Sequence, residues 1–247
     1  MLDIELMNIG IVGGNPVSAF LSWRLQATNA CDVTLVWKSG FEHVAQYGIS
    51  FKYVLDVSNL LVFPANNVDL PSLVTNDLNL ERVKFGTQSD HCHYLLIIFV
   101  STVVRNTEEA VQTRSGPFDY IVLCVKALPD VYDLAAVIDA VVTPQHTCIL
   151  VNTTHTLGVE AALEERFPTN VVLSLVSGAD LSQLGQSEFE HKGSTEIWVG
   201  PANTSTAIAS SIQEDMAQAL AMTLSTGQVD CKVSSNIRQQ QYERVIG

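Results

Sequence analysis

Short apolar runs alternate with amphipathic segments along the first half of the chain. Met7 to Val12 reads as a strand, Pro16 to Gln26 as a helix, and Asp32 to Trp37 (DVTLVW) as a second strand rich in β-branched residues. Together they make a βαβ unit of roughly 30 residues, the size of a crossover connection. The alternation resumes at Phe118 to Ala127 (FDYIVLCVKA), a near-continuous apolar run suited to a strand buried on both faces. Pro129 then opens a helix with Val131, Leu134, Val137, Ile138 and Val141 at helical spacing. A strand at TCILVN, a helix around LGVEAALEERF and a strand at NVVLSLVSG continue the series. The pattern predicts an α/β fold: a mostly parallel sheet with helices on both faces.

Beyond Gly178 the character changes and the parallel part is expected to end. SEFEHKGSTEIWVG predicts a hairpin of two strands around Lys192-Gly193. From Thr204 to Leu224, the residues Ile208, Ile212, Met216, Leu220 and Leu224 recur at every fourth position and predict one long amphipathic helix. SNIRQQQYERVIG starts another helix, and too few residues follow it to complete a helical domain, so that a partner completes it or the chain is a fragment. The expected division is therefore 1–200 for the α/β domain and 201–247 for the start of an all-helical one. Residues 65–104 fit least well; turn-formers and weak periodicity mark them as an irregular insertion. Its apolar end, Tyr94 to Val104, falls short of the roughly 20 residues a membrane helix needs and reads as a buried strand.

Composition narrows the partners. Apolar residues make up 47% of the 247, ample for a core, which argues against disorder. A net charge of −13 repels phosphate backbones and anionic lipid, so neither nucleic acid nor membrane is expected as a partner, and an anionic ligand needs a local site. The five cysteines, Cys31, Cys92, Cys124, Cys148 and Cys231, form no C-x-x-C pair and read as reduced, mostly buried thiols. The start of the chain, MLDIELMNIGIVGG, has no positively charged n-region, so no targeting peptide is expected and the cytoplasm is the default location. His91-Cys92-His93 has no second cluster of matching spacing, so no metal site is assigned, and no G-x-S-x-G elbow supports hydrolase chemistry.

The first strand runs into IGIVGGNPVSAF, residues 9–20, a glycine-rich turn. In the dinucleotide fingerprint G-x-G-x-x-G the first glycine makes the tight turn, the second admits the pyrophosphate, and the third lets helix and strand pack closely. Those positions fall on Gly13, Asn15 and Ser18. Asn15 tolerates a left-handed backbone but brings bulk to the phosphate, and Pro16 suits a first helical turn while removing one phosphate donor. An ordinary strand-turn-helix reads the same way. After the second strand, Lys38 stands where an NAD enzyme places an acid, and a cation there suits the 2′-phosphate of NADP; a solvated loop lysine has the same signature.

Several blocks, taken in order, resemble the ketopantoate reductase (2-dehydropantoate 2-reductase) family, particularly its fungal-looking members. They are IGIVGGNPVSAF, VTLVWKSGFEHVAQYGISF, FDYIVLCVKALPDV, LGVEAALEERFPTNVVLSLVSGAD, FEHKGSTEIWVG and IRQQQYERVIG, covering most of the chain outside about 65–104. The resemblance implies a Rossmann domain binding NADPH, a helical second domain, and reduction of a small 2-keto acid in the cleft between them, as in pantothenate biosynthesis. It implies that Gly13, Gly14, Asn15, Pro16 and Val17 form the cofactor turn, that Lys38 contacts the 2′-phosphate, and that Lys126 in CVKA faces cofactor and cleft. The family's Q-N-G before G-x-E reads VNTTHTLGVE here: anchoring on Gly158 and Glu160 selects His155, and matching residue type selects Asn152. The family's proton-donating lysine corresponds to Arg244, which could stabilise an oxyanion but is a poor general acid. A homodimer would be possible were the helical domain complete. The stretch 65–104 and the early stop have no family counterpart and read as gene-model artefacts, which sequencing the transcript would test. The alternative to an enzyme is a non-catalytic relative that binds a nucleotide or another protein.

Overall fold

The computed structural model describes residues 6–56, 81–88, 91–114, 116–126, 133–202 and 207–246. An eight-stranded sheet forms the centre. Its strands are β1 (Met7–Val12), β2 (Cys31–Val36), β6 (Thr102–Val104), β7 (Tyr120–Leu123), β8 (Cys148–Asn152), β9 (Val172–Ser177), β12 (Ile197–Pro201) and β13 (Cys231–Val233). In space they run β13-β12-β9-β8-β7-β1-β2-β6, and every neighbouring pair is parallel except β12 with β9. Counted by their order in this sheet alone, the segment from β6 to β9 is the 3-2-1-4-5-6 arrangement of a doubly wound dinucleotide fold, so the chain reverses direction of travel between β1 and β7.

Strand β7 shows why the sheet is covered on both sides. Tyr120, Val122 and Cys124 belong to one buried cluster, whereas Ile121 and Leu123 belong to the other. Alternate side chains leave a strand on opposite faces, so each face needs its own cover. On one face lie α3 (Thr107–Gln112), α4 (Leu134–Ile138) and α5 (Glu160–Arg166), which contribute Ala110, Ile138 and Leu163. On the other lie α1 (Pro16–Gln26), α6 (Ser210–Thr226) and a second sheet. That sheet, ordered β10-β11-β3-β5-β4, comprises β3 (Ile49–Asp56), β4 (Glu81–Gln88), β5 (His91–Ile98), β10 (Leu181–Gln183) and β11 (Glu188–His191). Phe51 and Phe189 from its strands meet each other at 5.6 Å between ring centroids, and they reach Trp23 of α1 and Trp37 after β2. The short helix α2 (Phe41–Tyr47) joins β2 to this sheet.

The first βαβ unit forms where expected. Several other expectations are corrected. The SEFEHKGSTEIWVG hairpin does not form: β11 and β12 belong to different sheets, and the 192–196 connection, with Gly193 at φ +66, carries the chain between them. The antiparallel partner of β11 is β10 instead. The parallel run of the large sheet does stop near Gly178, because the next strand to join it, β12, pairs antiparallel with β9; β13 then lies parallel to β12. Within 65–104, residues 81–88 and 91–98 are strands rather than irregular chain, and the apolar run from Tyr94 bends between β5 and β6; residues 65–80 lie outside the described set. The helix opening at Pro129 also falls partly outside it, and the described helix starts at Leu134, capped by Asp133. In α6 the buried side is Gln213, Ala217, Leu220, Ala221 and Leu224, with Ile212 exposed. A row repeating every fourth residue advances about 40° per step on a helix of 3.6 residues per turn, so it drifts off the buried face within two steps.

Candidate active cleft

The carboxyl ends of β1, β7, β8 and β9 gather around one open cleft of about 880 Å³. Its lining includes Asn15, Pro16 and Val17 after β1, Lys126 after β7, Asn152 at the end of β8 and His155 beyond it, Ser177 at the end of β9 and Gly178 to Leu181 beyond it, and Arg244. This is the crevice at the switch point of an open α/β sheet, where such folds hold ligands. Of the residues the sequence proposed, Asn15, Pro16, Val17, Lys126, Asn152, His155 and Arg244 therefore meet in one place. Gly13 and Gly14 build the turn behind them. Lys38 lies exposed after β2, at the same edge of the sheet but outside the cleft lining.

The turn after β1 is built by close approach. Gly13 has φ +142, and a Cβ there would stand 3.0 Å from the carbonyl carbon of Cys124. A Cβ on Gly14 would stand 3.3 Å from the Trp37 ring. Asn15 is not left-handed; at φ −144 and ψ 174 it is the N-cap of α1. Its Oδ1 accepts from the N–H of Val17 at 3.0 Å and of Ser18 at 3.1 Å, its own N–H donates to Ser18 Oγ at 2.9 Å, and its Nδ2 donates to the Cys124 carbonyl. Pro16 at N1 has no N–H to satisfy, which is why it is tolerated there.

Opposite this turn, Asn152 Oδ1 accepts from the Thr154 N–H at 3.1 Å and the Thr154 hydroxyl at 2.6 Å. Its Nδ2 has no partner among the described residues and is the end available to a ligand. Thr154 Oγ1 in turn accepts from the Ser177 N–H at 2.8 Å, joining the loops after β8 and β9. His155 is exposed on the same loop. Helix α7 (Ile237–Ile246) closes this side, with Arg244 Nε donating to the Ser177 carbonyl at 3.1 Å.

A buried polar cluster seats α7. Gln241, 2% exposed, donates from Nε2 to Thr153 Oγ1 at 2.9 Å and to Glu160 Oε1 at 2.6 Å. Ser174 Oγ donates to the same Glu160 oxygen at 2.7 Å. Glu160, the acid of the G-x-E segment, is thus an internal anchor rather than a cleft residue. Burial pushes the Cys124 thiol up to about 12 and Cys148 higher still, so neither is a thiolate nucleophile at neutral pH. Cys31, Cys124, Cys148 and Cys231 are free, the first three buried and Cys231 half-buried. Among the described residues no helix is long and apolar enough to cross a membrane.

Sequence reasoning passed over Thr154, Ser177, Gly178, Asp180 and Gln241. The first four lie at or just beyond the ends of β8 and β9, and the rule that ligands sit at the carboxyl ends of parallel strands would have found them. Gln241 carried no such signal.

This geometry defines a doubly wound, dinucleotide-type fold with its cleft at the switch point. A family model described as ketopantoate reductase PanE/ApbA matches residues 9–204. The chain belongs to that family. It is 34% identical over 251 residues to the meiotically up-regulated gene 72 protein of Schizosaccharomyces pombe, a match that takes in 99% of this chain and 37% of the relative. The chain thus spans little more than a third of that curated relative's length. Among solved structures it is similar to 2-dehydropantoate 2-reductase from Methylococcus capsulatus, with TM-score 0.67 and 17% identity over 96% of this chain and 60% of that one. It is also similar to D-mandelate dehydrogenase in its ternary structure with NADH and anilino(oxo)acetate, with TM-score 0.63, 14% identity and the same coverage. At these identities the structural likenesses speak for the fold.

Proposed function

We propose that this chain carries the dinucleotide half of an NADPH-dependent reductase that converts a small 2-keto acid of the 2-dehydropantoate type to its 2-hydroxy acid. The observation that carries the reading is the convergence of the β1 turn, Lys126, Asn152, His155 and Arg244 on one cleft at the switch point. Its volume lies within the roughly 300–1,000 Å³ typical of ligand sites. The residues fit a dinucleotide at the Gly13–Gly14 turn, which packs closely on the Cys124 backbone and the Trp37 ring, and they depart from the usual pattern at Asn15.

The cofactor, when bound, supplies the hydride. Lys126 offers a positive charge at the end of β7 for the carboxylate or carbonyl of the acid. Asn152 Nδ2 is a donor for the ketone oxygen, held in orientation by the two Thr154 bonds to its Oδ1. Arg244 stabilises negative charge as it develops on that oxygen, but a guanidinium stays protonated near neutral pH and does not release a proton. His155 is a cleft-lining group able to deliver one. Lys38, beyond β2, takes the 2′-phosphate and sets the preference for NADPH. A cytoplasmic location accompanies this reading, supported by the free, buried thiols.

The test is NADPH consumption by the purified chain with 2-dehydropantoate and with other 2-keto acids. Substrate-dependent oxidation of NADPH is expected. Saturable NADPH binding with no turnover on any of them would overturn the enzymatic reading in favour of a binding-only relative.

A further inference from the structure

The donors at the start of α1 are already in use. Pro16 has none, Val17 and Ser18 give theirs to Asn15 Oδ1, and Ala19 gives its N–H to the Asn15 carbonyl at 3.1 Å. Asn15's own N–H is taken by Ser18 Oγ. In a doubly wound fold the pyrophosphate is held by backbone N–H groups of this turn. Here a neutral amide oxygen occupies the place of the anion. Two further donors beside the turn remain without an acceptor among the described residues. One is the exposed Gly14 N–H. The other is Trp37 Nε1–H, buried in a residue 1% exposed, and 3.5 Å from where a Gly14 Cβ would stand. A turn with waiting donors at Gly14 and Trp37, and an internal acceptor on the helix donors, is a site built for an acceptor ligand and closed by its own side chain.

We propose that the Asn15 side chain is a gate on the diphosphate subsite, an inference that rests on the dinucleotide reading above. A diphosphate engages the Val17 and Ser18 N–H groups only when Asn15 Oδ1 withdraws from them. That movement also breaks the bond from Asn15 Nδ2 to the Cys124 carbonyl, at the end of the strand that leads to Lys126. Occupancy of the phosphate subsite is thereby coupled to the segment that presents the cleft lysine. Because the cap stabilises only the ligand-free state, removing it must strengthen binding by the factor it contributed. Stability and affinity then move in opposite directions, which a purely structural cap does not allow.

The experiment compares wild type, Asn15→Gly and Asn15→Ser by titration with NADPH and with ADP-ribose, and by thermal unfolding without ligand. Glycine is acceptable at an N-cap and leaves the helix donors free. Asn15→Gly is expected to melt slightly lower than wild type and to bind both ligands about twofold tighter, with Asn15→Ser between them. Binding by Asn15→Gly where wild type shows none supports the gate more strongly still. Equal or weaker binding by a folded Asn15→Gly overturns the gate and leaves the dinucleotide reading standing. No binding by any of the three overturns both.

Discussion

Replacing Gln241 with alanine tests how α7 is held over the cleft. Gln241 bridges Thr153 and the buried Glu160, and its loss leaves a carboxyl that is 3% exposed with Ser174 as its remaining side-chain donor. Stranding a buried acceptor costs about 1–3 kcal/mol. A loss near 2 kcal/mol corresponds to a fall in Tm of about 4–8 °C for a domain of this size. Denaturant titration of wild type and Gln241→Ala reads the loss directly, and the unfolding slope shows whether the folded state stays compact. Because Ser174 and Gln241 donate to the same Glu160 oxygen, the double variant Gln241→Ala with Ser174→Ala should depart from additivity by more than about 0.5 kcal/mol. A loss below about 0.5 kcal/mol for Gln241→Ala, with additive effects in the double variant, would refute the role of this cluster.

Gly13→Ala places a side chain at φ +142 and 3.0 Å from the Cys124 carbonyl carbon. It should cost about 1–3 kcal/mol in denaturant titration, and an unchanged midpoint would contradict the close approach described for this turn. His191 gives a pH dependence. Burial holds its pKa below the usual 6.5, only partly offset by the Ser194 carbonyl at 3.1 Å. The unfolded chain therefore binds this proton at a higher pH than the folded one. Stability is full above 6.5 and falls as the pH drops from there towards the lowered folded value, by up to about 1.4 kcal/mol per pH unit. Denaturation midpoints from about pH 7.5 to 5.5 should show this slope in wild type and lose it in His191→Gln; equal slopes would rule His191 out as its source.

How much of this was legible depends on how local each feature is. β1, α1 and β2 follow from nearest-neighbour pattern, with Pro16 marking the helix start, and they form within a residue of expectation. The hairpin failed because pairing is a tertiary choice: the Lys192-Gly193 turn suits a hairpin, yet Phe189 is buried with Phe51 while Ile197 is buried under α6, so the two strands part. Strands β4 and β5 lacked an alternating signature; their organising contacts are tertiary, β5 with β3 and β4 with β5. In the cleft, the family blocks pointed to Lys126, Asn152, His155 and Arg244. What Asn15 does with its side chain was hidden, because its conformation is set by Cys124, distant in sequence. The Gln241–Glu160 bond spans 81 residues and joins elements whose mutual approach no local pattern records.

The central claim is that the cleft at the switch point holds NADPH, with Lys38 on the 2′-phosphate. Titration of this chain with NADPH and with NADH, followed by fluorescence, tests it most directly, alongside Lys38→Ala. The account predicts saturable binding, tighter for NADPH than for NADH, with that preference lost in Lys38→Ala. Binding of neither dinucleotide would contradict it, and a preference for NADPH that survives in Lys38→Ala would contradict the assignment of the phosphate to that lysine.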